Sequence, residues 1–154
     1  GVAAGDVPNH EGALPPSEAA FGPMALEYFD RIVSLCRDND AALVLIKAPT
    51  DSWRYPWHDE YETQVVSLAE QYGLPYYNFL NEIEAIGLDF STDTYDRGLH
   101  LNVHGAEKLT SYFGKMLEQA YDLTDGRQNE ALADAWNEDI ARYEAQKREG
   151  RETP

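Results

Sequence analysis

Residues 41–46, Ala-Ala-Leu-Val-Leu-Ile, are apolar without alternation, and no other feature restricts the fold as strongly. A strand with one wet face alternates apolar with polar residues, so an unbroken run of this length predicts a strand covered on both faces, inside a parallel sheet. Its neighbours have helical period. Before it, Leu26, Phe29, Ile32, Val33, Leu35 and Cys36 recur at three- and four-residue intervals behind a Ser17-Glu18 cap, and Asp38-Asn39-Asp40 ends that helix. After it the chain turns at Pro49, and Tyr61, Val65, Leu68, Ala69 and Tyr72 make a second stripe stopped by Gly73. Residues 74–80, Leu-Pro-Tyr-Tyr-Asn-Phe-Leu, predict a second strand. Strand, helix and strand in that order imply a right-handed parallel crossover.

Residues 81–99 are irregular and acidic, with a helical turn expected at 82–86. Asn102 caps a third helix whose stripe is Ala106, Leu109, Phe113, Met116, Leu117 and Ala120. A last helix over 129–147 carries Leu132, Trp136, Ile140 and Tyr143, with Glu138 set to pair with Arg142 and Glu144 with Arg148. The alternation predicts an α/β, three-layer sandwich. Residues 1–16, rich in Gly, Ala and Pro, read as an arm or linker, 17–122 as the α/β domain, and 123–154 as an amphipathic helical extension.

Charge narrows the partners. Twelve basic against 28 acidic residues give a formal charge of −16, which opposes binding to phosphate backbones, so no nucleic-acid partner is expected. No apolar run approaches the ~18–20 residues that cross a bilayer, so no membrane span is expected. Cys36 stands alone on the first helix's apolar face, which predicts a buried thiol and leaves no disulfide, thiolate zinc cluster or redox pair. The chain begins at Gly1, which reads as a processed or engineered end.

Chemistry concentrates in Asp96-Arg97-Gly98-Leu99-His100-Leu101-Asn102-Val103-His104-Gly105-Ala106-Glu107-Lys108. A histidine acting as general base needs a carboxylate on its other ring nitrogen to fix the tautomer and stabilise the imidazolium. Asp96 is the first candidate to orient His100, and Asp93 the second. His100 and His104, at i and i+4 with Glu107 or Asp96 as a third ligand, offer a rival zinc chemistry, but His100 precedes the Asn102 cap and no Glu adjoins it, so no metal is assigned. Ser52 is the one local nucleophile candidate, lying just past a strand's C-terminal end. Trp53, Tyr55 and Trp57 beside it, together with Asn102, are candidate pocket residues. The acidic residues 89–96 read as a solvated loop.

The order of apolar strand, helix, strand and acidic loop running into Asp-x-x-x-His-Leu-Asn-x-x-Gly-Ala-x-Lys resembles the C-terminal part of an SGNH/GDSL hydrolase, over residues 26–117. The resemblance implies a flavodoxin-like parallel sheet, His100 as general base, Asp96 as its orienter, and no cofactor. It implies a serine ester hydrolase or O-acyltransferase acting on a small-molecule or polysaccharide acyl ester, in an extracytoplasmic or cell-surface setting. The chain departs from the family in two respects. Asp stands four residues before His where the family has three, and neither a Gly-Asp-Ser nucleophile block nor a Gly-x-Asn-Asp oxyanion block is present. The expectation is that this chain supplies the His–Asp arm, with the N-terminal half of the same parent protein as a partner carrying the serine. The competing expectation is a non-catalytic binding or structural half-domain.

Overall fold

The structure, a computed structural model, describes residues 20–51, 58–96 and 98–152. Helix α1 (Pro23–Asp38) starts at Pro23, later than a Ser17-Glu18 cap predicts, and Ser17 and Glu18 lie outside the described residues. Proline at the first helical position lacks an N–H that would have had no partner there, and its ring presets the helical φ. The helix ends where the sequence indicates. Asp40 takes a positive φ of 52°, and Ala41 N–H donates to the Cys36 carbonyl at 2.9 Å.

Strand β1 is shorter than the apolar run that predicts it, covering Leu45–Lys47, and Ala41 and Ala42 lie exposed ahead of it. It pairs in parallel with β2 (Tyr76–Asn78), with Leu45 opposite Tyr76 and Lys47 opposite Asn78. The connecting helix α2 (His58–Tyr72) lies over the face bearing Lys47 and Tyr76. Its Glu62 carboxylate sits 3.7 Å from the Lys47 ammonium and accepts from the Tyr76 hydroxyl at 2.7 Å. Burial, and then that hydrogen bond, push the Tyr76 phenol well above its ordinary value. The opposite face of β1, where Ile46 stands beside Tyr77, is only partly covered. Ile46 is 51% exposed, so the prediction of a strand covered on both faces is corrected: among the described residues the sheet has two strands.

Helices α1 and α2 meet through a few side chains. The Phe29 and Tyr72 rings meet edge to face at 5.3 Å, Tyr72 donates its hydroxyl to Asp30, and Phe21 N–H donates to Gln64 Oε1 at 2.8 Å. Cys36 is half-buried rather than buried. The core proper consists of Val33, Ala69, Phe79, Ile86 and Leu88, with Phe79 sealed from solvent. Phe79 opens a 3₁₀ turn, Phe79–Glu82, in which Leu80 N–H donates to the capping Asn78 Oδ1 at 2.9 Å. The turn continues into the short helix α3 (Ile83–Ile86), as the sequence predicts for 82–86. The fold is therefore α/β and mostly helical, with a small parallel sheet.

Helix α4 (Val103–Ala120) begins directly after Asn102. The chain divides into two compact units between Ser111 and Tyr112, inside this helix. The second unit comprises the rest of α4, a 3₁₀ turn at Gly126–Gln128 and α5 (Glu130–Glu152). In α5, Arg142 turns to Asp139 instead of the predicted Glu138, and among the described residues Glu144 and Arg148 make no bond. No helix of the described residues is long and apolar enough to cross a membrane.

Candidate active site

Residues 89–102 fold back on themselves before entering α4. Thr94 and Leu101 form an antiparallel bridge, Tyr95 N–H donates to the His100 carbonyl at 3.0 Å, and Asn102 N–H donates to the Asp93 carbonyl at 2.9 Å. Inside this small hairpin Asp96 makes a side-chain turn, its Oδ1 accepting from Leu99 N at 3.1 Å and His100 N at 2.7 Å. Thr94 Oγ1 accepts from Gly98 N at 2.9 Å. The hairpin is tethered to the end of β1. Gly98 O accepts from Asp51 N at 2.7 Å and from the Thr50 hydroxyl at 2.9 Å. Gly98 has φ 107°, and a Cβ built there would stand 2.6 Å from Asp51 Cβ, so only glycine fits this crossing. The loop is thus fixed at the C-terminal end of a parallel strand, where α/β folds form their sites.

The geometry brings Asp96 and His100 together. Asp96 Oδ2 lies 2.5 Å from His100 Nδ1, while Oδ1 holds the two backbone N–H groups. With Nδ1–H donated to the carboxylate, the neutral ring carries its lone pair on Nε2. The ring is 78% exposed against 24% for the aspartate, so Nε2 faces outward from a held base. Partial burial raises the Asp96 carboxyl, but the His100 ring and the two N–H groups lower it more, so it sits below the ordinary carboxylate range. An ionised carboxylate behind an outward-facing imidazole can accept a proton from an approaching hydroxyl and stabilise the resulting imidazolium.

Asp93 does not orient His100. It is buried, and its Oδ2 accepts from Asp89 N at 2.8 Å and from the Lys108 ammonium at 2.6 Å. Burial raises this carboxyl, but those two partners lower it more, and it sits below the ordinary range. Lys108 also donates to the Gly87 carbonyl at 2.9 Å, joining α4 to the end of α3. Asn102 is likewise taken out of the candidate pocket. Its Nδ2 donates to Thr92 O at 2.7 Å and Thr94 O at 3.4 Å, and its Oδ1 caps α4 through His104 N and Gly105 N at 2.9 and 3.1 Å. All its polar capacity is used within the junction.

Ser52, Trp53, Tyr55 and Trp57 lie outside the described residues, as does Arg97. His104 is exposed in the first turn of α4, and among the described residues no group of three or more His, Cys, Asp or Glu side chains could hold a metal. Sequence reasoning missed Thr50, Asp51 and Gly98 as the tether and Lys108 as the partner of Asp93. Gly98 and Gly105 were the available signals, since glycines inside a loop and inside a first helical turn mark close backbone approach. No family model, curated protein or solved structure matches the chain.

Proposed function

We propose that this chain is the His–Asp arm of an SGNH-type serine ester hydrolase or O-acyltransferase, with His100 as general base and Asp96 as its orienting carboxylate. The observation that carries the reading is the 2.5 Å contact between Asp96 Oδ2 and His100 Nδ1, on a loop pinned to the end of β1. In this reading His100 Nε2 takes the proton from a serine hydroxyl as the oxygen attacks an acyl carbonyl, and returns it to the departing alcohol. Water then repeats the sequence on the acyl-serine. The serine and the oxyanion donors come from the N-terminal half of the same parent protein, whose strands extend the two-stranded sheet toward a three-layer, flavodoxin-like sandwich. Supporting that part are the two-strand width of the sheet among the described residues, the half-exposed Ile46 and the 78% exposure of His100, since a working base of this kind is walled off from water. The substrate is an acyl ester of a small molecule or envelope polysaccharide, at the cell surface.

The test is turnover of short acyl esters. The chain by itself should show little, because general-base catalysis contributes about 10²–10⁴-fold but needs a nucleophile to act on. Adding or fusing an N-terminal fragment with a Gly-Asp-Ser-like block should bring turnover that His100→Ala lowers by about that factor. Turnover of the complemented protein unchanged by His100→Ala removes the base assignment. Robust turnover by the chain alone, abolished by Ser52→Ala and His100→Ala, moves the nucleophile to Ser52. Ester binding without turnover in the complemented protein establishes a non-catalytic module.

A further inference from the structure

The C-terminal helix presents an apolar stripe that the proposed chemistry does not use. Leu132 is 43% exposed, Trp136 61%, Ile140 54% and Tyr143 42%, and these four fall at i, i+4, i+8 and i+11, within one narrow sector of α5. A large indole and three further apolar side chains, each more than 40% exposed on one helix face, mark a docking surface. The ammonium of Lys147 lies 5.9 Å over the Tyr143 ring and closes the stripe at its C-terminal end.

Two properties of the helix name the occupant. The first is register. In an antiparallel pair of α5 helices centred at Glu138, Trp136 of one copy lies level with Ile140 of the other, and Leu132 lies within one residue of Tyr143. Both pairings share one centre, so the stripe is complementary to itself. The second property is charge. Residues 129–139 hold Glu130, Asp134, Glu138 and Asp139 and no basic residue, whereas residues 140–149 hold Arg142, Lys147 and Arg148 against Glu144 and Glu149. A parallel pair would set the two acidic halves side by side, but an antiparallel pair sets each beside a mildly basic half. Glu138, at the centre, points away from the stripe and does not meet its copy.

We infer that α5 is a self-association helix, pairing antiparallel through Leu132, Trp136, Ile140 and Tyr143 with the same residues of a second copy. The contact is one helix pair, well below the standard interface area of about 1,600 Å², so the dimer is reversible and concentration-dependent.

Sedimentation velocity on the full chain, from about 1 to 300 µM, should show a monomer–dimer equilibrium. Trp136→Glu and Ile140→Glu should each abolish the dimer while leaving the far-ultraviolet circular dichroism unchanged, because both side chains project from an exposed face. Orientation is read by cysteine crosslinking in a Cys36→Ser background. Two copies of Asn137→Cys lie about 3 Å apart along the axis, on one flank of the pair, and should be joined by a short bismaleimide, whereas two copies of Gln146→Cys stand about 24 Å apart along the axis and should not. A monomer throughout the range, as would follow if the stripe is covered by the chain's own residues, overturns the inference. So does a dimer that survives Trp136→Glu, or crosslinking through Gln146→Cys.

Discussion

Two glycines in α4, Gly105 and Gly114, should respond to the same substitution with opposite signs. A Cβ added at Gly105 would press on the Asp93 carbonyl oxygen inside any allowed contact, and would stand 3.0 Å from Leu101 Cδ2 and 3.1 Å from Asp93 Cβ. The carbonyl cannot withdraw freely, because it also accepts Asn102 N–H at 2.9 Å. Relief therefore moves the first turn of α4 off the loop, straining both that bond and the 2.6 Å pairing of Lys108 with Asp93. Overpacking costs about 1–3 kcal/mol, each weakened hydrogen bond about 0.5–1.5, and the alanine returns about 1 in helix propensity. Gly105→Ala should thus destabilise by about 2 kcal/mol. Gly114 has nothing within 4 Å of its would-be Cβ, so Gly114→Ala should stabilise by about 0.5–1 kcal/mol. Urea unfolding followed by circular dichroism reads both. If the two variants shift the midpoint in the same direction, the close approach of α4 to the Asp93 loop is wrong.

Truncating Phe79, fully buried, to alanine should cost about 3–5 kcal/mol, whereas Leu45→Ala on the half-buried strand should cost about 1–2; equal effects in urea titrations would return the core centre to β1. Asp93 and Asp96 both titrate below the ordinary carboxylate value in the fold, so the stability they confer is complete above that value, about 3.9, and is lost as pH falls through the lower folded values. Unfolding midpoints should therefore be nearly flat from pH 7 to 5 and fall below pH 4. Asp93→Asn, which removes the Lys108 pairing, should cost about 1–3 kcal/mol at pH 7 and less at pH 3; an equal cost at both would show that the carboxylate's charge contributes nothing.

The sequence made local periods legible and left coverage illegible. Gly73 and Asn102 stop and start their helices where predicted because each acts through its own immediate backbone. The 41–46 run misled for the opposite reason. Its composition reports that the strand can be buried on both faces, but what covers it depends on other segments, and here one face bears the half-exposed Ile46. The pairing of Asp96 with His100 was readable because both lie in one tight turn. The preference of Asp93 for Lys108 was not, since it needed the first turns of α4 to pass beside the loop.

These partnerships separate architecture from chemistry within the motif. Leu101, Asn102, Gly105 and Lys108 each have a structural duty, in the bridge to Thr94, the helix cap, the close approach to Asp93 and the ion pair. A motif of that spacing would be needed to join such a loop to such a helix whether or not any reaction occurred. The His100 ring has no duty of that kind. It is exposed and bonded through its side chain to Asp96 alone among the described residues, while the turn is already closed by the backbone N–H groups on Asp96 Oδ1. Exposed ion pairs contribute about 0–1 kcal/mol, so His100→Ala should change stability by no more than about 0.5 kcal/mol. Asp96→Ala, which also removes the acceptor of two N–H groups, should cost about 1–2. Denaturation midpoints for the two variants decide the matter. A His100→Ala loss as large as that of Asp96→Ala would make the ring a structural part of the turn and remove the reason to look for its function elsewhere.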